Sequence, residues 1–258
     1  MLSKLKIKNN YIFKKTPCFV INLDQNFDKK INLKKLVKTK IENFTLLNDF
    51  KIKIILSKGM VFNIIDDLFD LEIFNSKLEF TLNENSKLNY LLKTDSLKKC
   101  KDFCGDCFNC KKVEKIEKKL NFNFVGMGSQ GDIKILLNGA GNYSFYFKTN
   151  QNHLASNTKS NLVIKSALSQ NSNLKSDNLI KVVKNLKKVE AKQINKNLLL
   201  GYFSKALCIP KLEVESEDVI CKHGAAVSKL NEELMFYLQS RGLNYCDAKQ
   251  ILIDAFLN

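Results

Sequence analysis

Cys221 and His223, in the run Cys221-Lys222-His223-Gly224, are the residues whose types and spacing first suggest chemistry. Leu212-Glu213-Val214-Glu215 and Val219-Ile220 precede them and alternate in character as strands do. Side chains two apart on a strand share a face. One thiol and one imidazole on one face make half a site for zinc or iron, with the other half supplied from elsewhere. A second group is denser: Cys100-x3-Cys104-x2-Cys107-x2-Cys110 places four thiols within eleven residues. The x2 spacings suit a structural zinc with four tetrahedral ligands. An iron–sulfur cluster would use the same thiolates, although a fourth sequential Cys can be unable to reach the same cluster.

These groups need elements to hold them. From Phe50 onward short alternating segments follow one another: Lys51 to Leu56, Val61 to Ile65, Leu78 to Leu82 and Leu88 to Leu92. The rhythm is interrupted by the thiol segment and by a Lys- and Glu-rich stretch, Val113 to Leu120. It resumes at Asn121 to Val125 and continues through Ile133 to Leu137, Tyr143 to Phe147 and on to Leu212. Roughly ten strands without intervening helices fit a sandwich or a solenoid. Asn-Gly occurs only at Asn138-Gly139 and Asp-Gly nowhere, which argues against a meander of hairpins, and a coiled parallel β-solenoid needs no such turns. The period then changes. Asn231 is an N-cap candidate followed by Glu232 and Glu233, and Leu234, Tyr237 and Leu238 form a helical face ending at Gly242. Asn244 caps a second helix with an apolar stripe of Ala248, Ile251, Leu252, Ala255 and Phe256. Such a pair either covers the open end of a solenoid or docks a partner. The expected organisation is a reduced N-terminal segment over 1–49, a mostly β core over 50–227 with a Cys-rich insertion at 95–120, and C-terminal helices over 228–258.

The chain has 258 residues and 45% apolar content, enough for a sizeable core. No run of eighteen apolar residues suggests a transmembrane helix, and the basic N-terminus lacks the apolar region of a signal peptide. A cytoplasmic location is expected, and eight cysteines there do not read as a disulfide framework. Cys18, Cys208, Cys221 and Cys246 are dispersed, and dispersed thiols usually act as small buried hydrophobes. The net charge of +16 is spread along a Lys- and Asn-rich chain with Arg only at Arg241, so it reads as compositional bias rather than a clustered nucleic-acid footprint. No phosphate-cradling G-x-x-x-x-G-K-[ST] loop is present, and His153 and His223 are the only histidines, so an enzyme is not expected.

The run Ile209-Pro210-Lys211-Leu212-Glu213-Val214, then Asp218-Val219-Ile220-Cys221-Lys222-His223-Gly224-Ala225, resembles the signature of the SufB/SufD family. Glu232-Glu233, Phe236 to Leu243, Asp247-Ala248 and Ala255-Phe256 continue it in order and spacing, and His153, Asn157-Thr158, Ser160, Gln193 and Asn197 to Leu200 fit upstream. The resemblance is nearer SufD, since SufB-type chains carry a Glu after the His where Gly224 stands. It implies a right-handed parallel β-helix, a non-catalytic scaffold for iron–sulfur cluster assembly, and a transient cluster shared with a SufB-like paralogue or a second copy. It places Cys221 and His223 at that interface. It implies docking of a SufC-like ATPase through the C-terminal helices, with Phe236, Tyr237, Arg241, Ala255 and Phe256 on that surface. The essential cysteine of SufB-type chains has no counterpart, because Asn195 and Lys196 stand in that region, so this chain is not expected to build a cluster alone.

The thiol segment Cys100 to Cys110 lies outside the resemblance. Zinc, an iron–sulfur cluster and unligated thiols all stay open for it. Cys100-x3-Cys104-x2-Cys107 also has the spacing of a radical-SAM triplet, but the surrounding strands lack the alternating helices that such a barrel needs. The alternative function is a zinc-binding basic module that contacts nucleic acid through this segment and its flanking lysines. No membrane partner is expected.

Overall fold

The computed structural model describes residues 7–8, 18–23, 30–33, 50–67, 75–96 and 114–258. The strands are β1 (Ile7–Lys8), β2 (Cys18–Leu23), β3 (Lys30–Asn32), β4 (Phe50–Leu56), β5 (Val61–Asp66), β6 (Asn75–Leu82), β7 (Lys87–Asp95) and β8 (Glu114–Phe124). They continue as β9 (Gln130–Gly139), β10 (Tyr143–His153), β11 (Lys159–Leu168), β12 (Asn173–Val182), β13 (Lys187–Leu199), β14 (Lys205–Val214) and β15 (Asp218–Lys229). Two helices follow, α1 (Glu232–Ser240) and α2 (Tyr245–Leu257).

Successive strands alternate between two sheets. One has the order β1-β2-β4-β6-β8-β10-β12-β14 and the other β15-β13-β11-β9-β7-β5-β3. Every pairing is parallel except β1 with β2. Each turn of the chain therefore lays one strand on each sheet, which makes a β-solenoid with a flattened interior. The sheets extend N-terminal of Phe50, because β2 pairs with β4 and β3 with β5. The Lys- and Glu-rich stretch before Asn121 is strand as well: β8 begins at Glu114, with Ile116, Lys118 and Leu120 facing inward.

Alternation decides what faces in. In β6, Leu78, Phe80 and Leu82 are fully buried while Lys77, Glu79 and Thr81 face outward. Parallel pairing then stacks like positions from turn to turn. The rings of Phe80 and Phe122, paired in register, stack nearly parallel with centroids 5.0 Å apart, and Tyr90 meets both edge-on. Asparagine serves this geometry directly. Asn85, Asn157 and Asn185 take the left-handed backbone conformation at turns, which Asn tolerates better than most residues. On the outer faces Asn63 pairs with Asn89, Asn121 with Asn150, and Asn123 with Asn152 through side-chain amides. The turns also stack tightly: a Cβ at Gly126 would collide with the Asn83–Glu84 backbone, and one at Gly201 with that of Gln170.

The interior is graded. Its early turns are filled by Ile, Leu, Phe and Tyr. From Thr149 onward amides and hydroxyls enter, with Thr149 bonded to Asn178, Ser176 to Asn195, and Ser166 to Asn197 at 2.6–2.8 Å. Among the described residues the early turns hold a buried pair of charged groups: Lys118 Nζ lies 4.0 Å from Asp66 Oδ1, both fully buried, and the Tyr90 hydroxyl donates to Asp66 Oδ2 at 2.7 Å. Burial lowers the Lys118 pKa against the opposing pull of Asp66, and burial together with the Asp66 charge holds Tyr90 protonated far above its usual range. Removing one member of a buried pair strands the other charge, whereas replacing both with apolar groups is often neutral. Asp66→Ala is therefore expected to destabilise the fold by about 3–5 kcal/mol. The double change Asp66→Leu/Lys118→Met is expected to recover most of that loss in urea unfolding; equal losses would contradict the pairing.

Candidate functional site

The last turn of the solenoid is β14 and β15, and each is the terminal strand of its sheet. The segment around Cys221 is strand, as its alternation requires. Cys221 pairs with Ala191 and His223 with Gln193, and both of those partners are buried and inward-facing. Cys221 and His223 thus share the inner face of an edge strand, with Lys222 on the outer face. Cys221 is half-buried against a small apolar patch of Ile180, Val182, Val189 and Ala191, and that burial raises its thiol pKa. A raised pKa keeps the thiol protonated at neutral pH. His223 is exposed. At Gly224 an added Cβ would meet nothing, so packing does not require its small size.

Among the described residues no group of three His, Cys, Asp or Glu stands close enough to hold a metal ion. Cys221 and His223 are brought together but not completed. Asn195, in the region of the SufB-type cysteine, is buried and donates to Ser176 Oγ at 2.6 Å. Cys100, Cys104, Cys107 and Cys110 lie outside the described residues. Cys208 reads in the sequence as an inert thiol. It sits on β14 and accepts a hydrogen bond from Asn197 Nδ2 at 3.0 Å. Only the register of β14 against β12 reveals its position, since sequence spacing links it to neither Cys221 nor His223.

The helices follow directly on β15. Asn231 and Asn244 cap them as their side chains suggest, accepting from Leu234 N and Asp247 N. Gly242 takes a positive φ after the first helix. The apolar faces are only partly buried. Met235 is the buried residue of α1, while Leu234 and Tyr237 are exposed. In α2, Ala248 and Ile253 are buried, while Ile251 and Ala255 are exposed. The reason is that α2 packs on β11 and on α1 rather than across the end of the solenoid, which rotates its buried stripe. Phe256 is half-buried with Lys165 Nζ 6.0 Å from its ring centre. Phe236, 73% exposed, and Tyr237, 53% exposed, face outward, with the Arg241 guanidinium over Tyr237. Among the described residues no helix is long and apolar enough to cross a membrane.

The other histidine has a different role. His153 is fully buried and stacks on Phe124 at 4.6 Å. The Thr158 hydroxyl donates to Ala155 O, so its oxygen is left to accept from His153 Nδ1–H at 2.7 Å. Ser160 then donates to Nε2 at 2.9 Å. This network assigns a neutral imidazole with both nitrogens used. Burial lowers its pKa to about 4. An unfolded histidine binds its proton near 6.5, so the unfolded state takes up more protons between those values. Stability is therefore expected to fall by about 3 kcal/mol as pH drops from about 6.5 towards 4, and to level off below. In His153→Gln the loss between pH 7 and pH 4.5 should be smaller than in the wild type, read as the shift in urea midpoint. An identical shift would remove His153 as its source.

Comparison with known proteins agrees with this geometry. The family model for the SUF system FeS cluster assembly SufBD core domain matches residues 53–256. The iron–sulfur cluster assembly protein SufD of Escherichia coli (strain K12) is 42% identical over 78 residues, covering 30% of this chain and 18% of that protein. A SufBD-family iron–sulfur cluster assembly protein of Synechocystis sp. (strain ATCC 27184 / PCC 6803 / Kazusa) is 46% identical over 66 residues, covering 26% of this chain and 15% of its own length. One from Galdieria sulphuraria is 30% identical over 104 residues, covering 40% of this chain and 47% of that protein. The matched region thus spans less than half of each of these relatives. With the family model extending over most of the chain and the solenoid and helical pair in place, the chain belongs to the SufBD family of iron–sulfur cluster assembly proteins.

Proposed function

We propose that this chain is a SufD-like, non-catalytic scaffold subunit. Its last turn pairs with the corresponding edge of a SufB-like paralogue, or of a second copy, and the nascent iron–sulfur cluster is cargo held between them. The observation that carries this reading is the placement of Cys221 and His223 side by side on the inner face of a terminal strand, an incomplete ligand pair on an edge that can accept another strand. A thiolate and an imidazole are ligands for iron and for sulfide-bridged iron. What this chain supplies is two donor atoms and the rigid edge that aims them, while the cysteine missing at Asn195 comes from the partner.

The helical pair, in this reading, is the docking handle for a SufC-like ATPase. Exposed Phe236 and Tyr237, stiffened by the Arg241 stack, supply the aromatic anchors that dominate protein interfaces. The segment Cys100 to Cys110 is a separate candidate site for zinc or an iron–sulfur cluster, and metal analysis of a Cys104→Ser chain purified without oxygen tests it.

Two outcomes check this function. In a complex purified anaerobically with its SufB-like and ATPase partners, His223→Ala should lower bound iron and acid-labile sulfide together while the subunits still co-purify. Unchanged iron and sulfide would remove His223 from the site. Phe236→Ala combined with Tyr237→Ala should weaken ATPase binding by about 2 kcal/mol or more, roughly thirtyfold in Kd, without changing the unfolding midpoint. Unaltered binding would place the ATPase elsewhere.

A further inference from the structure

We infer that Cys208 is a third soft ligand at the mouth of the solenoid, facing the same cargo as Cys221 and His223, and that Asn197 is the residue that positions its sulfur. The inference rests on the proposed assembly face at the last turn and extends it to the opposite wall.

Cys208 pairs in register with Ser176, which is buried and inward-facing, so the thiol faces the interior from the terminal strand of its sheet. The two sheets run in opposite directions around each turn, which brings the early part of β14 across from the later part of β15. Asn197 reports that approach. Its amide nitrogen lies 3.0 Å from Cys208 Sγ and 3.4 Å from the Ala226 carbonyl oxygen. Cys208 is therefore across the mouth from the Ala225–Ala226 segment. Inward positions on β15 are spaced about 7 Å apart, so Ala225 is the first beyond His223. Cys221, His223 and Cys208 follow one another around one opening.

The supporting side chains point the same way. Asn197 is buried, and its carbonyl oxygen is taken by the Ser166 hydroxyl at 2.6 Å, which turns the NH2 group towards the sulfur. Hydrogen bonds to ligand sulfurs tune iron–sulfur sites, and outer residues of this kind fix ligand orientation. Beneath His223, on the same inner face, Gln193 is 1% exposed and its Oε1 has no hydrogen-bond partner. A buried amide oxygen left open under an imidazole is an acceptor for one of its N–H groups and would fix the ring's orientation. The three donors do not converge on a single ion. They suit a cargo of several metal atoms, with each donor reaching a different one.

The test uses the full chain in its anaerobically purified complex with the SufB-like and ATPase partners, loaded with ferrous iron and sulfide. Cys100, Cys104, Cys107 and Cys110 are replaced by Ser throughout. Cys208→Ser keeps an acceptor for Asn197 but offers a poor ligand for iron. Its bound iron should pass to an external chelator about tenfold faster than in the parent complex, as it should in Cys221→Ser. A parent-like rate in Cys208→Ser, with fast release in Cys221→Ser and His223→Ala, would overturn the inference and leave the proposed function standing. Parent-like rates in all three would overturn both. If Cys208→Ser does not assemble, alkylation of the unmutated thiol decides the matter. Cys208 should be modified in the empty complex and protected when loaded, and modification at the same rate in both states would overturn its role.

Discussion

A parallel strand is stable only when its backbone N–H and C=O groups meet those of a neighbour, and a solenoid made of such strands ends in a row that has no neighbour. In this chain that row runs along β14 and β15, the terminal strands of their sheets. Everything upstream depends on the ladder that ends there. Register fixes which side chains stack, stacking fixes the interior, and the last turn inherits both. The helical pair does not close the end, because α2 packs on β11 instead. An exposed strand edge invites uncontrolled pairing, and in the proposed assembly that edge is covered by a partner's strand.

The graded interior prepares that edge. Apolar stacking in the early turns supplies cohesion: Phe80 and Phe122 stack, and Tyr90 meets both edge-on while its hydroxyl is held by Asp66. The later turns exchange this for a hydroxyl–amide network in which each side chain orients the next, as in Ser166 to Asn197 to Cys208. Buried networks of this kind rigidify when satisfied and are costly when they are not. The two histidines show the difference. His153 has both nitrogens engaged and stays neutral, which makes it part of the scaffold. His223 stands exposed on the edge strand, free to turn towards a ligand.

Much of this was legible in the sequence because it rests on local rules. Period-two alternation marked most strands, and Asn231, Asn244 and Gly242 marked the helix ends. The SufB/SufD-like run from Ile209 located the edge. What escaped depended on long-range packing. The first half of β8 hid beneath lysines and glutamates, since its inward positions include the buried Lys118, whose partner Asp66 lies far away in sequence. The burial of Thr149, Gln151 and Asn195 has no sequence signal, because polarity alone does not distinguish a wet face from a polar interior. Which positions of the helices are buried, Met235, Ala248 and Ile253, is not given by apolar periodicity alone, because packing on β11 and between the helices chooses them. The abundance of asparagine looked like compositional bias, yet several of these residues hold left-handed turns or cross-strand amide pairs. Cys208 gave no signal in the sequence; its neighbours come from the parallel register.

The central claim is that the edge of the last turn is where a second solenoid joins. Hydrogen–deuterium exchange of the full chain, with and without its SufB-like partner, tests it most directly. The account predicts that the partner slows exchange across residues 205–229 and leaves the amides of β6 to β11 unchanged. Unaltered exchange along β14 and β15 in a complex that demonstrably forms would contradict it.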